Sequence, residues 1–156
     1  MDRRSPSSSS SIFGSPRAGI ELAALSRHNS RVTSTILVLT ALWHSAAFWH
    51  FAIHPKRTLA RATRERPVSD VSAELFRFLG GINAGFVVLA LASLALPVSE
   101  RWPAFVALAV ANLSQLIIDL RVKRLGLAHG GFFRQVMIGD ALFTAANAGA
   151  GLISLI

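Results

Sequence analysis

Residues 78–97 read FLGGINAGFVVLALASLALP. No acid, base or histidine interrupts the run before Pro97. A helix rises 1.5 Å per residue, so roughly 20 apolar residues cross the hydrocarbon core of a bilayer. The apolar residues do not alternate with period two, which argues against a barrel strand. The stretch therefore reads as a membrane-spanning helix, with Pro97 just past its end.

The same pattern recurs on either side. Apolar blocks occupy about 34–53, 75–96, 103–121 and 132–156, each near the length of one span. Short charged segments separate them. The 156 residues are 52% hydrophobic and only 15% charged, against about 25% charged in a soluble domain. The expected fold is all-α: an integral membrane four-helix bundle with antiparallel neighbours, since the 97–103 connection is too short for anything else. Residues 1–31, rich in Ser and Arg, read as a disordered tail without a core to bury. Residues 32–156 read as the four-span domain. Ser69 and Asp70 offer N-cap chemistry for the second span, and Pro103 fits the first turn of the third.

Charge sets an orientation. The segments 54–72 and 121–131 hold most of the Lys and Arg, including Lys56, Arg57, Arg61, Arg64, Arg66, Arg121, Lys123 and Arg124. By the positive-inside rule they face the cytoplasm, and both termini face outward across the cell membrane. The net charge of +8 would suggest nucleic acid in a soluble protein. Beside apolar spans it is matched more simply by anionic lipid headgroups at the basic loops. The expected partners are thus the bilayer and those headgroups, with a second membrane protein or another copy of the chain as a further candidate, and no nucleic acid. The chain has no Cys, so disulfides and thiolate chemistry are excluded. No GxSxG, Walker A or HExxH motif appears, and the chain reads as a non-enzyme.

Polar residues inside spans are costly and need a reason. On the third span Asn112, Gln115 and Asp119 share one helical face, as Asp140, Thr144 and Asn147 do on the fourth. Counted from the basic ends, Asn83 and Asp140 lie about 12 Å deep, Asn112 about 14 Å and His44 about 16 Å. Each span thus offers a polar group at one level. The expected site is an inward polar layer of Asp140, His44, Asn83 and Asn112, with Asp119 shallower. Asp140 can be satisfied there by His44 or Asn83, and Asp119 by an ion pair with Arg121 or Lys123. Such a layer suits a proton, a small polar ligand, or service to a transporter. A competing reading makes the chain a structural or assembly subunit, because Asn, Gln and Thr also join helices by simple hydrogen bonds.

Two further features carry expectations. Gly81 and Gly85 form a GxxxG step that permits close helix approach. His50 and His54, four apart beside Trp49, could hold a metal or haem with His129 as a partner from the last loop. That third reading is weaker, because both ligands come from one helix. Trp and His also suit a membrane interface without any cofactor. No cofactor is therefore assigned.

Overall fold

The computed structural model describes residues 16–156. Of the tail expected to be disordered, residues 1–31, residues 1–15 lie outside the described residues, and 16–31 are helical, the first half of the helix that begins at Pro16. Helix α1 (Pro16–Phe48) runs directly into a π-helical turn, Trp49–Ile53. Next come α2 (Pro55–Ala62), α3 (Asp70–Ser93), a 3-10 turn at Val98–Glu100, α4 (Trp102–Arg124) and α5 (Gly130–Ser154). Four helical segments, Ala23–Ile53, Asp70–Ser93, Trp102–Arg124 and Gly130–Ser154, are long and apolar enough to cross a membrane. No strand forms among the described residues; a lone antiparallel bridge pairs Thr63 with Ala128.

Local chemistry explains the boundaries. The Ser69 hydroxyl caps α3 by accepting from the Ser72 N–H at 3.0 Å, satisfying one of the free N–H groups of the first turn. Helix α4 ends in a Schellman motif: Gly126 N–H donates to Lys123 O at 3.0 Å and Leu127 N–H to Val122 O at 3.2 Å. Gly126 has φ +69°, a conformation that glycine adopts without the Cβ penalty. Segment 54–72 is not the plain loop expected from its charges. Pro55 ends the π-helical turn and also starts α2, since its missing N–H is no loss in a first turn. Pro55, Thr58, Leu59 and Ala62 are buried while Lys56, Arg57 and Arg61 are exposed, so α2 is amphipathic.

The bundle is two helical pairs side by side. Helix α1 packs mainly on α3, and α4 mainly on α5; α1 also lies against α5. Helices α3 and α4 touch little, although a short turn joins them. At one end the basic segments are zipped together: Arg64 N–H donates to Leu127 O at 2.9 Å and His129 N–H to Ala62 O at 2.8 Å. At the other end Arg101 is buried. It donates to Thr33 Oγ1 and Ser34 Oγ on α1, and to Leu94 O and Leu96 O where α3 ends, all within 2.9–3.1 Å. The apolar core lies toward that end and draws on every long helix: Leu37, Ala41, Ala90, Phe105, Leu108 and Ala150. Large apolar side chains such as Leu42, Val88, Val110 and Leu142 face outward, as a lipid-facing surface requires.

The glycines that permit close packing are not those of the GxxxG step. A Cβ at Gly81 or Gly85 meets nothing within 4 Å, whereas one at Gly80 would sit 2.6 Å from Ala52 N of the π-helical turn. One residue along a helix turns the side chain by about 100°, so the step faces away from the bundle and its neighbour faces in.

Candidate functional site

The polar groups lie between the apolar core and the basic end. Nearest the core, Thr40 Oγ1 on α1 donates to Asn147 Oδ1 on α5 at 3.2 Å, and Asn147 Nδ2 donates to Phe143 O at 2.8 Å. Both residues are buried, and none of their side-chain polar atoms is left without a partner. They join α1 to α5.

One turn further, His44 on α1 meets Asn83 on α3, with Nδ1 and Oδ1 2.6 Å apart. The Asn83 amide N–H₂ is used on Leu79 O at 2.9 Å, so its oxygen accepts and His44 Nδ1 carries the proton. In the neutral ring Nε2 is then an acceptor, and it is buried without a protein partner. Asn112 on α4 repeats the Asn83 arrangement. Its Nδ2 donates to Leu108 O at 2.8 Å, leaving a buried Oδ1 unpaired.

Asp140 on α5 is 3% exposed. Its partner is neither His44 nor Asn83: Trp43 Nε1–H donates to Oδ1 at 3.1 Å, while Oδ2 is unpaired. The indole is fixed by stacking on Phe143, ring centroids 5.4 Å apart, and by Gly139, whose lack of a side chain makes room for it. Trp43 is the site residue that sequence reasoning missed. The signal for it was small: a Trp well inside an apolar run, away from the interface where Trp is expected.

Asp119 also departs from expectation. It is 5% exposed and forms no ion pair with Arg121 or Lys123. Gln115 Nε2 approaches its Oδ1 at 3.5 Å, while Oδ2 is buried without a partner.

A cavity of about 280 Å³ opens where α3 and α4 diverge. His44, Asn83, Asn112, Gln115 and Asp140 line it, with Phe51, Phe86 and Ile118 among its apolar walls. Asp119 borders an adjoining cavity of about 100 Å³ that shares Phe51, Gln115 and Val136 with the first. A third, of about 140 Å³, lies between α1 and α5 beside Trp43, His50 and Gln135.

The histidines near the basic end form a separate place. His50 and His54 line one pocket with Arg57 and Arg61, and His129 is not among its lining residues. No group of three His, Cys, Asp or Glu side chains fit to hold a metal occurs among the described residues. Two guanidinium groups beside two imidazoles repel a cation rather than attract it. Comparison with known proteins finds no matching family model, no similar curated protein and no similar solved structure.

Proposed function

We propose that this chain is a multi-pass protein of the cell membrane whose interior takes up a proton or a small, donor-rich polar ligand. The basic segments 54–72 and 121–131 are assigned to the cytoplasmic side and both termini to the outside, on the excess of Lys and Arg in those segments. The observation that supports the interior reading is a matter of sign. His44 Nε2, Asn112 Oδ1, Asp119 Oδ2 and Asp140 Oδ2 are buried without partners, and in the arrangement described all four are acceptors. A ligand suited to this lining brings N–H or O–H groups or positive charge: a proton on a water chain, or a small ammonium-like cation. Leaving such groups unpaired costs about 1–3 kcal/mol each, so the concentration of three of them around one cavity, with the fourth in the cavity beside it, asks for an occupant.

The carboxyls of Asp119 and Asp140 supply a place for the proton. Two carboxylates in adjoining cavities of a low-dielectric interior repel, and one proton taken up by either removes the repulsion. Asp140 then binds the proton on Oδ2 while Trp43 holds Oδ1. The structural reading keeps its place for Thr40 and Asn147, which satisfy each other.

The test is proton uptake by the purified protein in sealed liposomes, followed with an internal pH dye. Asp140→Asn should abolish flux, and the infrared band of a protonated carboxyl should vanish with it. Full flux in a correctly folded Asp140→Asn variant would refute the reading and leave the structural one.

A further inference from the structure

The basic end holds a second pocket that the interior reading does not use. It measures about 310 Å³ and is built by the π-helical turn, α2 and the start of α5. His50 and His54 enter from the turn, Arg57 and Arg61 from α2, and Trp49 and Phe132 form its aromatic sides. No carboxylate lines it. The nearby acids are engaged elsewhere. Asp70 pairs with Lys56 at 2.6 Å, Glu74 with Arg77, and Glu65 accepts from Ser69 and Ser72.

Among the described residues, therefore, neither Arg57 nor Arg61 has an acid partner. Four residues apart on α2, they stand on one face of the helix. Arg61 rests its guanidinium 5.2 Å from the Phe132 ring centroid. That contact orients the group and leaves its N–H donors free. The backbone around the pocket is also settled without a ligand. Pro55 has no N–H to offer His50 O in the five-residue pattern of a π turn. The Thr58 hydroxyl donates to that carbonyl instead, at 2.7 Å. Arg61 is thus held in place, and among the described residues no acid neutralises it or Arg57.

We propose that this pocket binds a phosphate group at the membrane–water interface. Forked guanidinium donors match phosphate oxygens two at a time. The site lies where an apolar span gives way to an amphipathic helix, with Trp49 55% exposed beside it, which is the level of lipid headgroups. The phosphate can belong to an anionic phospholipid or to a soluble phosphate ester. The proposal is independent of the interior cavity.

Native mass spectrometry of the full chain in detergent tests it, with phosphatidylglycerol, phosphatidic acid or phosphatidylcholine added, beside thermal melts in inorganic phosphate. The anionic lipids should be retained over phosphatidylcholine. R57Q/R61Q should weaken that retention about tenfold or more, as expected for losing charge-assisted contacts. R121Q/R124Q removes the same charge elsewhere on the basic end and should leave retention within about twofold. R57K/R61K keeps charge without the fork and should fall between them. Stabilisation by inorganic phosphate that the same two arginines control would assign the pocket to soluble phosphate. Equal losses from both glutamine double variants, or no preference for phosphate in any form, would overturn the proposal.

Discussion

The pair Gly80 and Gly81 gives a test of helix rotation with an internal control. Both are replaced by Ala in the same helix, so the gain in helix propensity, up to about 1 kcal/mol, is the same for each and cancels in the comparison. The steric outcome is not the same. At Gly81 a new Cβ meets nothing within 4 Å, whereas at Gly80 it lies 2.6 Å from Ala52 N, 2.7 Å from Ala52 Cβ and 2.9 Å from Ala52 Cα. Ordinary contact begins at 3.4 Å, so α3 must retreat from the π-helical turn by about 0.8 Å. Two of the three atoms are backbone and cannot rotate away. The expected difference between the variants is the overpacking cost alone, about 1–3 kcal/mol, with Gly80→Ala the less stable. Reversible unfolding in mixed micelles, followed by far-UV circular dichroism, measures it. Gly81→Ala should be as stable as the parent or slightly more so. Equal stability of the two variants, or a larger loss at Gly81, would refute the packing of α3 described above.

Gly139→Ala places a Cβ 2.1 Å from Trp43 Cη2 and should cost about 1–3 kcal/mol. Trp43→Phe removes the offending ring atoms, so the same change should be nearly free in that background, a coupling of about 1 kcal/mol or more by double-mutant cycle; additive losses would argue against the contact. Arg101→Leu strands two carbonyls at the end of α3 and two hydroxyls on α1, and should destabilise by about 2–5 kcal/mol in the same unfolding assay, with Arg101→Lys recovering only part. Glu65 accepts from Ser69 N–H and Ser72 Oγ, each at 2.9 Å, and these bonds, the Ser69 amide first, hold its carboxyl below the ordinary value of 4.5. A lowered folded value means the contribution is present at neutral pH and is lost as pH falls below 4.5 toward that value. Protection of the Ser69 amide from exchange, relative to its intrinsic rate at each pH, should therefore fall in acid, and Glu65→Gln should abolish that pH dependence.

The spans were legible because hydrocarbon thickness converts directly into residue count, and a 19-residue uncharged run has few other meanings. The depth counted for His44, Asn83, Asn112 and Asp140 rests on the same fixed rise per residue, and the four line one cavity. Rotation was not. Whether Gly80 or Gly81 faces a neighbour, and whether Asp140 meets Trp43 or His44, depends on side-chain fit between helices. Hydropathy carries no phase when the helix is apolar all round. Asp119 was misread because nearby Arg121 and Lys123 offered a local partner, while its actual neighbour lies 21 positions on. Helix α2 was hidden by its own charges. Four of its eight residues turn inward, but Lys56, Arg57 and Arg61 dominate the composition. The π-helical turn leaves only Pro55 as a trace.

The polar groups have an order of assembly written into the topology. His44 and Asn83 belong to the α1–α3 pair, and their hydrogen bond completes within it. Asp119 and Asp140 belong to the α4–α5 pair, which is a local hairpin. Each pair thus carries two of the polar groups on its own two long helices. Only docking of the two, through Trp43 to Asp140, Thr40 to Asn147 and the bridge of Thr63 to Ala128, sets these groups on the walls of adjoining cavities. The interior is a composite of two half-sites, and neither is a site until α5 has seated against α1.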